Sequence, residues 1–400
     1  MNQNIQKLYK IAKKKERKII GLMSGTSLDG LDVALCRFKG SGLETEASID
    51  FFDTIPYDES IKSKIRKVFA KEQVELQHLC LLNPWIGSLH GEMILQCLKK
   101  WKISPSEVDL IASHGQTIFH APSSFHKLEN FPNSTLQIGD GDHIAIKTGI
   151  ITFSDFRQKH VAGGGEGAPL AVYGDFLLFS KKDEDRIMLN IGGIANFTYL
   201  SGDLDATKMY STDVGPGNTL IDAFTRIYFP GKNYDENGQI ASEGTVHPGL
   251  LGELKSSLFF DAEIPKTTGP ELFSINYVKE AQRKSNTEDL SGKDLIATLT
   301  LLSAEGIADS IKKKFKKNIY PVIYLSGGGM HNSTLVKMIK ELLPGAILKT
   351  TQELSIQPDA KEAVLFAVLA NESVAAGKPS LGAPASLIPD VFMGKVSFPI

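Results

Sequence analysis

Short apolar runs broken by turn-rich polar stretches open the chain. Positions 18–22 and 31–38 are apolar and flank a Gly/Ser/Asp turn at 23–30, a pattern that predicts a β-hairpin. Between 60 and 101 apolar residues recur at helical spacing, through Ile61, Ile65, Val68, Leu76, Leu79, Cys80, Trp85, Ile86 and Leu89, so this stretch is expected to be mostly helix. Segments 109–115 and 149–156 read as buried strands, the first ending in a polar loop. Strands alternating with helices indicate an α/β sheet. A second round starts at 186–193, with a turn at 200–203, a long helix pattern from 295 to 315, a strand at 322–326 and a buried helix at 361–375. The second half therefore repeats the organisation of the first.

A charged run at 181–185 divides the two halves, giving a basic N-terminal extension (1–17), an N-terminal α/β domain (18–183) and a C-terminal α/β domain (184–400). With about 150 residues per domain as the prior, 400 residues accommodate this division. The 44 Lys and Arg nearly balance the 46 Asp and Glu, so no basic field draws the chain to nucleic acid or to a membrane surface. Three cysteines, Cys36, Cys80 and Cys97, form no disulfide framework. No run of about 18 apolar residues and no signal-peptide core is present, and the expectation is a cytoplasmic protein. Lys13-Lys14-Lys15 reads as part of a solvated, frayed extension.

Glycine changes the picture. Clusters at Gly25/Gly30, Gly139/Gly141, Gly163–Gly167, Gly192/Gly193, Gly215/Gly217 and Gly327–Gly329 follow apolar strands, several with Asp, Ser or Thr alongside. Such turns let backbone N–H groups approach an anion, and several in one protein suit a nucleoside triphosphate. No G-x-x-x-x-G-K-[ST] occurs, and Gly163–Ala168 matches a dinucleotide fingerprint only weakly, with Pro169 next. His114, His120 and His126 lack the spacing of a helical zinc motif.

The segments 21–32 (GLMSGTSLDGLD), 114–117 (HGQT), 136–140 (LQIGD), 165–170 (GEGAPL), 190–196 (NIGGIAN) and 213–218 (DVGPGN), with Gly327–Gly329 and Glu362-Ala363, resemble the signatures of the anhydro-N-acetylmuramic acid kinase family in order and across nearly the whole chain. The resemblance implies two similar actin-like, ribonuclease H-like α/β domains flanking a deep nucleotide cleft. It implies an ATP- and Mg²⁺-dependent kinase that opens the 1,6-anhydro ring of 1,6-anhydro-N-acetylmuramic acid with water. The same event phosphorylates O6, giving N-acetylmuramic acid 6-phosphate in peptidoglycan recycling, and the family is usually homodimeric. On this reading Gly25, Thr26, Ser27, Leu28, Asp29, Gly30, Leu31 and Asp32 form the first phosphate turn, and Asp213, Gly215, Gly217 and Asn218 the second. Gly327, Gly328 and Gly329 receive the adenosine, and Asp29 and Glu362 stand on the metal side. The sugar is assigned to His114, Gln116, Thr117, Gln137, Asp140 and Glu166.

One position departs from the family at the reaction centre. The family's base is an aspartate in a D-F-R-x-x-D segment, and here that segment is Asp155-Phe156-Arg157-Gln158-Lys159-His160. Three readings follow: His160 acts as the general base, Asp155 substitutes for it, or the chain phosphorylates a different amino sugar or binds nucleotide without turnover. Carboxylates suit the oxocarbenium chemistry of ring opening better than imidazole does. Glu166, where the family generally has glutamine, is expected to raise the pKa of His160 if the two are close, and Pro270 replaces a residue that is typically arginine.

Overall fold

The computed structural model describes residues 1–25, 28–269, 271–315, 319–377 and 389–400. Thr26, Ser27 and Pro270, singled out above, lie outside the described residues. The chain forms two compact units, one made of residues 1–180 and 355–400, the other of residues 181–354.

The first unit carries a sheet of seven strands: β1 (Glu16–Ser24), β2 (Gly30–Lys39), β3 (Glu46–Pro56), β4 (Leu110–Ala121), β5 (Ser134–Ile138), β6 (Ile151–Ser154) and, from the C-terminus, β12 (Lys395–Ser397). The order is β12-β6-β4-β1-β2-β3, with β5 paired to β4. The predicted hairpin is β1–β2, antiparallel with Met23 opposite Asp32. β4 runs parallel to both β1 and β6. It also extends through the polar segment expected to be a loop, as far as Ala121.

The second unit holds five strands: β7 (Arg186–Ile191), β8 (Ile194–Leu200), β9 (Tyr210–Pro216), β10 (Val322–Ser326) and β11 (Leu348–Thr350), in the order β11-β10-β7-β8-β9. In both units the first three strands form an antiparallel meander, and two parallel strands follow on the other side of the first strand, β4 then β6 in the first unit and β10 then β11 in the second; the first unit adds β5, antiparallel to β4, and β12, antiparallel to β6. This is the ribonuclease H-like topology expected of an actin-like domain, built twice. Each unit has its own core, around Ile20, Leu22, Val33 and Ile111 in the first and Leu189, Phe197, Ile307 and Ile323 in the second. Each such fully buried apolar side chain contributes about 1.5–3 kcal/mol.

Two expectations about boundaries are corrected. Residues 355–400 belong to the first unit, not the second. The helix Lys361–Ala375 is buried along nearly its whole length and lies directly on β1. A Cβ on Gly21 would sit 1.9 Å from the Ala363 carbonyl oxygen, so only glycine permits that approach. The N-terminal extension is also not frayed. Gln3–Ala12 is helical, Lys14 Nζ meets Asp109 at 2.5 Å, and β1 already starts at Glu16. Arg17 is buried, donating to Asn371 Oδ1 (2.7 Å) and to the carbonyls of Lys14 and Gly40 (2.6 Å each). Among the described residues no helix is long and apolar enough to cross a membrane.

Candidate active site

β1, β4 and β6 are parallel, so their C-terminal ends reach one edge of the first sheet, where ligands of open α/β sheets bind. At the β1 end, Leu28 is buried with φ 59°, a left-handed backbone that is costly for a branched residue. Leu28 and Leu31 serve the core, and the turn offers ligands Asp29, which is exposed, and Asp32. Asp32 Oδ1 accepts from the Thr54 hydroxyl at 2.5 Å. Burial raises its pKa, Thr54 opposes this, and the negative charges of Asp359 and Asp29 add to it.

Inside β4, just past the last residue paired with β6, His114 is buried against the Phe366 ring. Its Nδ1–H donates to the Gly115 carbonyl (2.8 Å), which leaves Nε2 to accept from the Nε–H of Arg157 at 2.9 Å. Burial and the Arg157 charge hold the imidazole well below its usual pKa, so it stays neutral. Arg157 Nη1 donates onward to the Gly167 carbonyl at 2.8 Å. Burial lowers the guanidinium's pKa to about 10, and the Glu362 charge opposes that.

The same Gly167 peptide is held from its other side, because its N–H donates to His160 Nδ1 at 2.9 Å. His160 is 1 % exposed and stands edge-on to Tyr173. A Cβ on Gly165 would lie 2.2 Å from the His160 ring, so the glycine loop closes directly over the imidazole. Burial first, and Arg157 second, lower His160 to a pKa of about 4. The shift expected from Glu166 has the opposite sign: with a buried ring and a nearby guanidinium, the cation is disfavoured. His160 is thus the neutral Nε2–H tautomer, its one lone pair engaged by Gly167.

The remaining sugar-side candidates divide by whether their polar atoms are already satisfied. Gln116 is fully buried, with Nε2 donating to the carbonyls of Gly25 (3.1 Å) and Thr117 (3.2 Å) and Oε1 accepting from Ser24 Oγ at 2.5 Å. Asp140 caps the helix Gly141–Thr148, accepting from the N–H groups of Asp142 and His143. Gln137 donates to Thr135 Oγ1 (2.8 Å) and Thr117 Oγ1 (3.5 Å), while its buried Oε1 has no partner among the described residues. Glu166 is half-buried in the glycine loop. Asp155, φ 57°, follows β6 and pairs with Lys395. Glu362 is exposed in the first turn of its helix, yet crowding by protein raises its carboxyl, opposed by Lys361 and Arg157 and reinforced by Asp32. Arg157 is the residue the motif reading passed over. It stood inside the quoted segment, but its partners lie at 114 and 167.

The second unit builds its counterpart from backbone. The Gly192-Gly193 turn after β7 accepts hydrogen bonds from Gly217 N–H and Asn218 N–H (2.8 Å each) and Thr219 N–H (3.1 Å). Gly327–Gly329 follows β10, with Gly328 beside the Asn218 side chain. The three turns thus meet at the C-terminal ends of β7, β9 and β10. Asp213 Oδ2 accepts from Thr268 N–H at 2.8 Å, and burial raises its pKa to about 6, with Thr268 opposing and Glu271 adding. The described residues contain no group of three or more His, Cys, Asp or Glu able to hold a metal alone. Mg²⁺ keeps much of its water and binds through one or two carboxylates and substrate phosphates, and the exposed Asp29 carboxylate has the chemistry of such a ligand.

Residues 17–384 match the family model for anhydro-N-acetylmuramic acid kinase. The chain is 52% identical over 400 residues, all of both chains, to a protein of that name from Pseudoalteromonas atlantica. It is 51% identical over 399 residues to one from Pseudoalteromonas translucida, again covering both chains in full. Against one from Caldanaerobacter subterraneus subsp. tengcongensis the identity is 39% over 399 residues, 98% of this chain and all of that one.

Proposed function

The chain belongs to the anhydro-N-acetylmuramic acid kinase family, and on that premise we propose that it phosphorylates O6 of 1,6-anhydro-N-acetylmuramic acid while water opens the ring. In bond terms, water oxygen adds to C1, the C1–O6 bond breaks, O6 takes the γ-phosphoryl group of ATP, ADP leaves, and a base receives the proton from water. The observation that carries this reading is the full-length identity to relatives of that name.

We assign the nucleotide to the glycine turns of the second unit; the N–H groups of Gly217, Asn218 and Thr219 are engaged by the Gly192-Gly193 carbonyls and hold the turns in shape, so the phosphates fall to the other amides of these turns. Asp29, through water, is the residue we assign to Mg²⁺, which when bound neutralises phosphate charge. Glu362 is exposed, carries a raised proton affinity and senses the Arg157 charge. A carboxyl with raised proton affinity is shifted in the direction a general base needs, and a carboxylate also suits developing positive charge at C1. We therefore place the base role on Glu362 and not on His160, whose lone pair holds the Gly167 N–H. Arg157, oriented by His114, fixes the glycine loop. Asp155, held by Lys395, supports the same region. The reading extends to a cytoplasmic homodimer, tested by sedimentation and fractionation.

Mass spectrometry of the product tests the reaction. A gain of one phosphoryl group and one water supports ring opening. Phosphorylation alone points to simple transfer to another sugar hydroxyl, and nucleotide binding with no product rejects turnover.

A further inference from the structure

Inside the first unit, four side chains form a hydrogen-bonded chain that can run in only one direction. Gln116 Nε2 faces two carbonyls, Gly25 and Thr117, so its Oε1 faces Ser24 and the Ser24 hydroxyl must donate to it. With its proton so directed, Ser24 Oγ can only accept from the Tyr57 hydroxyl at 2.9 Å. The Tyr57 oxygen must then accept from His90 Nε2–H at 2.7 Å. The order is His90 to Tyr57 to Ser24 to Gln116 to the Gly25 carbonyl. All four side chains are buried.

The starting point is what distinguishes this chain from ordinary packing. His90 is 0 % exposed in the helix Leu76–Trp101, and its Nδ1 has no partner among the described residues. Burial lowers its pKa to about 4, so the ring is neutral and Nδ1 carries a bare lone pair. A buried acceptor without a donor is a net cost to folding that leucine would not incur. The far end is equally specific. Gly25 opens the β1–β2 turn and Thr117 lies on β4, so one amide holds the nucleotide-side turn and the sugar-side strand together.

We infer that His90 and Tyr57 are positioning residues that act through Ser24 to fix the Gln116 amide and, with it, the Gly25 carbonyl and the Thr117 backbone. This rests on the reading of that turn and strand as kinase machinery. His90 lies on the helix Leu76–Trp101 and Tyr57 just after β3, both outside the turn, and they anchor it to the body of the unit.

The test uses His90→Leu, Tyr57→Phe and His90→Gln in the full chain, each measured for melting temperature and for steady-state kinetics with MgATP and the anhydro sugar. A positioning role predicts a kcat/KM for ATP about tenfold lower in His90→Leu and Tyr57→Phe, the weight of one buried hydrogen bond. His90→Leu removes the orphaned lone pair and also the donor to Tyr57, two effects of similar size and opposite sign, so its melting temperature should stay near the parental value. His90→Gln, which keeps a donor towards Tyr57, should recover to within about threefold of the parent. Parental kcat/KM in both disrupted variants overturns the proposal, as does a loss that tracks a fall in melting temperature and is not rescued by glutamine. If the parent chain turns nothing over, the kinase reading fails on its own. The relay is then judged by calorimetry with MgATP, where both disrupted variants must weaken binding for it to stand.

Discussion

The two units share a five-strand order, to which the first adds β5 and β12, and differ in what they place at the strand ends. The first fills that edge with side chains: His114 and Arg157 in contact, His160 beneath the glycine loop, Gln116 tied to Gly25, and the carboxylates of Asp29, Asp32 and Glu362. The second places there three glycine turns, two of which bond to each other through their peptides, with Asp213 the only titratable side chain named at the turns. Backbone turns held in shape by such bonds suit a triphosphate, which takes its N–H donors from the turn amides left over and needs no particular side chain. A network of oriented, neutralised imidazoles and a guanidinium suits a sugar with asymmetric polar groups and a reaction that moves a proton. On the proposed assignment one topology supports two tasks because strand ends, not sheets, carry the chemistry.

If that division holds, first-unit variants should alter turnover and second-unit variants should alter nucleotide affinity. Arg157→Met is the most disruptive. It leaves His114 Nε2 and the Gly167 carbonyl without their donor, and we expect turnover to fall at least about a hundredfold with a loss of about 3 kcal/mol in stability. Chemical denaturation alongside kinetics checks both. Glu362→Gln should lower turnover by about 10² or more with little change in KM for ATP, and the acid limb of the pH–rate profile should disappear. Asp213→Asn should instead weaken ATP binding about tenfold, read by calorimetry, and leave the sugar KM near the parental value. A swap of these two phenotypes would break the comparison.

The smallest effect concerns stability and pH. His160 and His90 have folded pKa values of about 4, against about 6.5 unfolded, so between those limits the unfolded chain binds more protons. Their contribution is fully present above about pH 6.5 and is lost as pH falls towards 4. Asp213 has the opposite sign, since its pKa rises from 3.8 to about 6, and its contribution fades as pH climbs through that window. His160→Asn should therefore flatten the acid decline in melting temperature, whereas Asp213→Asn should flatten a loss seen on raising the pH from 4 to 6.

The features readable from the chain alone are those written in local pattern. Alternation and a Gly/Asp turn mark β1–β2, and helical spacing marks Gly292–Lys314 and Lys361–Ala375 within a few residues. β3 escaped notice because it is a partly exposed strand without a buried face, its residues alternating between half-buried and exposed. The extension looked solvated because charge dominates it, yet Arg17 finds Asn371, 354 positions away, and no local pattern signals that pairing. The same holds at the site. His160 could be identified as the departing position, but its role depends on which way the imidazole faces. That direction is set by Gly165 having no side chain and by the Gly167 N–H.

The decisive measurement is the pH dependence of kcat/KM for the anhydro sugar in the parent chain and in His160→Asn, whose side-chain oxygen can still accept from Gly167. The account predicts the same acid limb in both, with turnover reduced less than about tenfold. An acid limb that vanishes with His160, together with a loss of 10² or more, would make the imidazole the base after all and contradict it.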